Sequence, residues 1–289
     1  MFKQMFAAAF FASAAASALA MPLGSQSVLV IEDETGKVLL EKNANTVVPI
    51  ASLTKLMTAM VVLDAKPDMD APISIDKVDV DMLKHSTSRV PVGATISRRD
   101  VLQLALMSSD NRAAASLART YEGGPLAFKA AVDAKIRALG MSQTEIEEPT
   151  GLSPNNKSTA SDLAKMAQAA SNYPEITRIT TDAKDIVTIN GRGVEYHNTN
   201  RLVGAKGWDV GLSKTGYTEE AGRCLIMRIK SAGKNATLVL LNAKATSARV
   251  LDALNIRRFL AGDEGPVVKL ASHTPRKRGK STRHRSVQA

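Results

Sequence analysis

The sequence predicts a mixed α/β (α+β) fold: an antiparallel sheet flanked by helices, beside a mostly helical lobe. Three observations point to it. Strand-like segments gather towards the two ends of the chain, at 27–41 and after residue 184. Helical periodicity fills the region between them, and one further helical stretch, 246–262, closes the pattern. Strands and helices segregated in this way favour an α+β arrangement, in which the terminal strands share one sheet.

Taken in order, "SVLVIE" (27–32) and "KVLLE" (37–41) flank the turn signal "DETG", so they read as a hairpin. Pro49 then opens a helix running to about Ala65, with Leu53, Leu56, Met57, Met60 and Val61 at helical spacing. Residues 72–97 read as extended and loop-rich. Helices follow at about 98–107, 112–121, 125–139 and 159–171. Thr159, with Asp162 three residues on, offers N-cap chemistry for the last of these. Beyond 184, "DIVTING", "VEYHNTN", "DVGLSKT", "RCLIMRIK" and "ATLVLLN" read as strands. No internal repeat is visible.

The chain is 289 residues long and 44% hydrophobic, enough for a substantial core in one large or two small domains. "MFKQMFAAAFFASAAASALA" (1–20) has one early positive charge, an Ala-rich apolar stretch and a small-residue end, the layout of a secretory leader. The mature chain is then expected to begin at Met21 and to work in the periplasm. The net charge of +10 is concentrated in the tail. Residues 272–289 carry six Lys and Arg and no acid; without them and Lys3 the body is near +3. With no aromatic and few apolar residues, the tail (263–289 in the domain reading) is expected to be disordered and to contact an anionic wall polymer or membrane surface. Nucleic acid is not expected as a partner, because the basic residues are not interleaved with aromatics. Cys224 is the only cysteine, so no internal disulfide can form; within "GRCLIMRIK" it reads as a small buried hydrophobe. His85 and His197 stand alone and no HExxH is present, so neither a metal nor another cofactor is expected.

The chemistry-bearing residues begin with Ser52 and Lys55, three apart in "VVPIASLTKLMTAMVVLDAK". Two other Ser-x-x-Lys pairs exist, Ser74/Lys77 and Ser231/Lys234. The first lies in an alternating, strand-like segment that puts the two residues on opposite faces, and the second in a Gly turn. Only Ser52 and Lys55 open a helix, where positions i and i+3 are neighbours. There the free N–H groups of a first turn can support an oxyanion, and desolvation lowers the pKa of the amine so that it can act as a base. Alone, the pair reads as readily as a helix cap beside a snorkelling lysine. Two more motifs change the balance: Ser109-Asp110-Asn111 between two helices, and Lys214-Thr215-Gly216 at a strand end. Each has a bland reading, as a cap or a hairpin corner. In this order, S-x-x-K, S-D-N and K-T-G are the signature of class A β-lactamases and penicillin-binding proteins.

The segments "IASLTKLMTAMVVLDA", "LALMSSDNRAAASLAR", "EPTGLSPNNKSTASDLAKM" and "LSKTGYTEEAGRCLIMRIK" carry a closer likeness. Over about residues 25–262 the chain resembles the low-molecular-mass penicillin-binding proteins, the serine D-Ala-D-Ala peptidases, and most of all their D-alanyl-D-alanine endopeptidase branch. The resemblance implies a β-lactamase/transpeptidase-like fold with a five-stranded sheet, spanning residues 21–262 with its helical lobe at about 66–184. It implies that Ser52 is the nucleophile, Lys55 its base and Ser109 a proton relay. Asn111, Lys214, Thr215 and Tyr217 bind substrate, the N–H groups of Ser52 and Tyr217 forming the oxyanion hole; Arg249 is a further candidate for a carboxylate. It implies peptidoglycan stem peptides as substrates and β-lactams as covalent inhibitors. A D-Ala-D-Ala carboxypeptidase and a class A β-lactamase are the alternatives. The latter needs a Glu in an E-x-x-L-N loop, and Glu148 in "EEPTGLSPNN" does not give that register.

Overall fold

The computed structural model describes residues 21–263. The leader expected at 1–20 and nearly all of the basic tail expected at 263–289 lie outside the described residues. β1 (Ser27–Glu32) and β2 (Val38–Lys42) form the expected hairpin, with Gly36 of its turn at φ 70°, a conformation open to glycine. The helix expected to start at Pro49 begins later. A short strand, β3 (Val48–Pro49), runs into a 3₁₀ turn over Ala51–Leu53, and only then does α1 (Thr54–Asp64) start. The displaced start has a local cause. Ala51 sits at φ 48°, a left-handed conformation that regular helix cannot contain. α1 is buried from Thr54 to Val62, as a helix apolar on every side must be.

β4 (Pro72–Ser74) and β5 (Thr95–Ser97) pair as a small ribbon within the loop-rich region. α2 (Arg98–Met107), α3 (Asn111–Arg119) and α4 (Gly124–Ala138) follow close to their expected ranges. β6 (Lys157–Ser158) pairs with β3, tying the loop before it to the start of the 3₁₀ turn. α5 (Ala160–Ala170) carries the expected cap, Thr159 accepting from the Asp162 N–H. α6 (Pro174–Thr181) was not expected from the pattern; Pro174 at its first turn is its clearest signal.

β7 (Lys184–Ile189) and β8 (Arg192–His197) form a separate two-stranded hairpin, so these two expected strands do not extend the main sheet. β9 (Asp209–Thr218), β10 (Gly222–Ser231) and β11 (Lys234–Ala243) complete the main sheet, and α7 (Thr246–Leu260) follows. The sheet is five-stranded and antiparallel, in the order β2-β1-β11-β10-β9. Alternation along its strands divides the core in two. Val28, Val30, Leu225, Met227, Ile229, Leu238 and Leu240 pack with Ala253, Ile256 and Leu260 of α7. Leu29, Ile226, Val239 and Leu241 join the larger core that contains α1 and the middle helices. Asp252 of α7 fastens the amino-terminal end of the described chain, accepting from Gly24 N–H (2.8 Å) and from Ser25 N–H and Oγ (2.7 and 2.6 Å). β9 is one of the two edge strands, and it meets the 3₁₀ turn at Gly216.

Candidate active site

Five segments meet where β9 faces the helical lobe. Ser52 sits in the 3₁₀ turn and Lys55 one turn later, in the first turn of α1. Of the three Ser-x-x-Lys pairs in the sequence, this one is brought into contact: Lys55 Nζ lies 2.9 Å from Ser52 Oγ. Nζ also donates to Asn111 Oδ1 and to the Thr150 carbonyl, each at 2.6 Å. A carbonyl can only accept. The Asn111 amide is oriented by its own donation from Nδ2 to Ser86 Oγ (2.8 Å), which leaves Oδ1 facing the lysine. Two of the nitrogen's three hydrogens are thus committed to fixed acceptors. In the neutral amine the lone pair is left towards Ser52 Oγ, and such an amine can take a hydroxyl proton.

The electrostatics favour that state. Lys55 is 1% exposed, and burial pushes its pKa down to about 8, against smaller upward pulls from Glu148, Asp110 and Asp81. Lys214 is also buried and held well below the ordinary lysine range, by burial first, then by repulsion from Lys55 and Arg249. At Lys55 burial is the cause of the lowering, as expected from the apolar helix that carries it.

Ser109 and Asn111 straddle the junction of α2 and α3. Ser109 takes φ 59°, and the Asp110 N–H returns to the Leu104 carbonyl (3.1 Å), closing α2. Asp110 caps α3 by accepting from the Ala113 N–H (2.9 Å), and its other oxygen accepts from Ser88 Oγ (2.7 Å). The bland cap reading is therefore true of Asp110, while Ser109 lines the cleft and Asn111 reaches Lys55. Ser109 Oγ accepts from Lys214 Nζ at 2.8 Å. Lys214, Thr215 and Gly216 lie inside β9 rather than at a strand end, and Lys214 is 1% exposed rather than solvated. Thr215 Oγ1 is 2.7 Å from Thr199 Oγ1. Gly216 lets two backbones meet: a Cβ there would lie 3.0 Å from the Ile50 carbonyl oxygen and 3.1 Å from Ser52 N. Tyr217 follows on the strand, half-exposed, with the Arg223 guanidinium 3.4 Å above its ring. Arg249, at the start of α7, donates to the Cys224 carbonyl (2.9 Å). Cys224 is fully buried, which pushes its thiol up to about 11.

Sequence reasoning singled out the loop that carries Thr150 but missed its part in holding Lys55. The Glu148 carboxylate organises it, accepting from the N–H groups of Thr150 (2.7 Å), Gly151 (2.6 Å), Leu152 (2.8 Å) and Ser153 (3.3 Å). Asn156 Nδ2 bridges the same loop to Thr54 Oγ1 (3.1 Å) and the Glu148 carbonyl (2.8 Å). Gly151, at φ 86°, passes so close to Ala51 that a Cβ would stand 1.9 Å from its carbonyl oxygen. A Glu-x-x-Gly turn was the available signal. With its oxygens turned to backbone N–H groups, Glu148 is not arranged to activate a deacylating water as the β-lactamase reading requires.

A cleft of about 610 Å³ opens from Ser52 along β9, lined by Ser109, Thr215, Tyr217, Arg201, Arg223 and Arg249 among others. Among the described residues, no three His, Cys, Asp or Glu side chains gather as metal donors. No helix among them is long and apolar enough to cross a membrane.

The sequence pattern of the D-alanyl-D-alanine carboxypeptidase family, peptidase S11, matches residues 12–245, and the chain belongs to that family. It is 47% identical to a D-alanyl-D-alanine endopeptidase of Pseudomonas aeruginosa over 244 residues, 84% of this chain and 79% of that one. It is 42% identical to the D-alanyl-D-alanine endopeptidase of Escherichia coli over 251 residues, 86% of this chain and 81% of the other. Among solved structures, the Streptomyces K15 DD-transpeptidase matches with a TM-score of 0.75 at 25% identity, over 83% of this chain and 97% of that one. Penicillin-binding protein D2 of Listeria monocytogenes, in its ampicillin-bound form, matches with a TM-score of 0.70 at 30% identity, over 80% and 95%. The chain is thus a serine D-Ala-D-Ala peptidase by family, with the penicillin-binding fold.

Proposed function

We propose that the protein hydrolyses the D-Ala–diaminopimelate cross-link between peptidoglycan stem peptides through an acyl-enzyme on Ser52. The observation that carries the reading is the contact between Ser52 Oγ and a buried Lys55 whose other two hydrogens are committed. The 47% and 42% identities to relatives named as endopeptidases support the choice of bond.

In this reading Lys55 takes the Ser52 proton as Oγ attacks the D-Ala carbonyl carbon. The N–H groups of Ser52 and Tyr217 hold the resulting oxyanion. When the C–N bond breaks, the proton passes through Ser109 to the leaving amine, and water later releases the acyl group by the same route reversed. Asn111 holds the acyl-side peptide. Lys214 and Thr215 hold the carboxylate beside the leaving nitrogen, with Arg249 behind them. A β-lactam acylates Ser52 in the same way. We further infer export by the leader at 1–20, a peptidase body over 21–262 and periplasmic work. Contact of the basic tail with an anionic wall polymer or membrane rests on its six charges alone; weaker salt-sensitive wall binding after deletion of 272–289 is the expected sign.

Digestion of a purified cross-linked muropeptide dimer tests the activity. The protein is expected to convert it to monomers, and Ser52→Ala is expected to leave it intact. Release of terminal D-Ala alone, with the dimer uncut, would assign a carboxypeptidase instead.

A further inference from the structure

The cleft is larger and more basic than a single carboxylate needs. Arg201, Arg223 and Arg249 line it, and among the described residues no acidic side chain does. Neither Arg201 nor Arg223 has a carboxylate partner among the described residues. Arg223 is close enough to Arg249 to depress its pKa further, after burial, so the cluster is not neutralised from within. Arg201 is also held on a built wall. Its neighbour Asn200 donates to Ser213 Oγ (2.8 Å), Asn200 Oδ1 accepts from the Leu202 N–H (3.1 Å), and Thr199 bonds Thr215. This loop places Arg201 on the lining of the same cleft as Arg223, which is itself fixed over the Tyr217 ring.

We propose that Arg201 and Arg223 form a second anion subsite, which takes a carboxylate of the leaving stem peptide beyond the one next to the scissile nitrogen. The inference rests on the endopeptidase reading and names what would distinguish its substrate. A terminal D-Ala departs with one carboxylate. A diaminopimelate stem departs with the carboxylate beside its acylated amine and with others further along the peptide. Planar guanidiniums suit such groups, because each can meet a carboxylate with two parallel hydrogen bonds.

The test compares two synthetic cross-linked peptides. One has free carboxylates on the leaving stem; in the other, all except the one beside the scissile amide are converted to amides. The unaltered protein is expected to cleave the first with a kcat/KM about tenfold higher, mostly through KM. Arg201→Gln is expected to reduce that preference to less than about threefold, as is Arg223→Gln, and the double variant to remove it. Arg201 is exposed and has no ion-pair partner among the described residues, so its loss should not disturb folding; benzylpenicillin acylation of each variant checks this. Equal cleavage of both peptides by the unaltered protein overturns the subsite while leaving the endopeptidase reading intact. So does a preference that survives the double variant. Failure to cleave either peptide, with terminal D-Ala still released, overturns both.

Discussion

At the scale of single residues, the chemistry turns on one amine and the groups that hold it. Lys55 has a pKa lowered to about 8 chiefly by burial. Its neutral fraction therefore rises as pH rises towards and through that value. The rate of benzylpenicillin acylation is expected to fall about tenfold for each pH unit below 8, and to level off above it; stopped-flow rates from pH 6 to 9 check this. Glu148 pulls the same pKa upward. Glu148→Gln should shift the inflection to lower pH. It should also cost about 2–3 kcal/mol in stability, because one amide oxygen cannot serve four backbone donors. A thermal melt beside the pH profile separates the two effects. Much of this site is readable from side chains: Ser52, Ser109 and Thr215 line one cleft, with Lys55 and Asn111 bonded behind Ser52 and Lys214 bonded to Ser109. The third acceptor of Lys55 was not readable, because it is a backbone carbonyl and no residue type marks it. Nor does the sequence show that Lys214 is buried, since its neighbours Thr215-Gly216 also suit an open turn.

At the scale of elements, the site depends on two close approaches of main chain. β9 comes to the 3₁₀ turn at Gly216, and the 147–156 loop comes to Ala51 at Gly151. Gly151→Ala combines a positive φ with a Cβ buried in the Ala51 carbonyl. It is expected to destabilise the fold by about 3 kcal/mol or more and to slow acylation sharply. Denaturant unfolding together with acylation kinetics would check both. The elements were legible where periodicity is long: the buried α1, the α2–α5 run and the strands of the main sheet. Pattern alone could not say which partner a strand takes. β7 and β8 alternate like the others but pair only with each other, under a tight Asn190-Gly191 turn. α6, at eight residues, is too short for a helical period to stand out.

At the scale of the whole molecule, a sheet built from both ends of the chain presents its edge to a lobe built from the middle. The cleft between them is held mainly by buried packing around α1 rather than by surface charge. The Lys84–Glu220 pair joins the 75–94 region to the β9–β10 turn, yet both side chains are more than a third exposed. Such a pair contributes less than about 1 kcal/mol. Glu220→Gln is therefore expected to move Tm by less than about 2 °C, whereas a shift several times larger would mean that this bridge holds the lobes together.

The central claim is that Ser52 is the nucleophile armed by Lys55. Intact mass of the mature protein, followed over time with benzylpenicillin beside Ser52→Ala, tests it most directly. The account predicts a single long-lived penicilloyl adduct that maps to the peptide containing Ser52 and is absent from the variant. An adduct that persists in Ser52→Ala, or drug consumed rapidly with no adduct trapped, would contradict it.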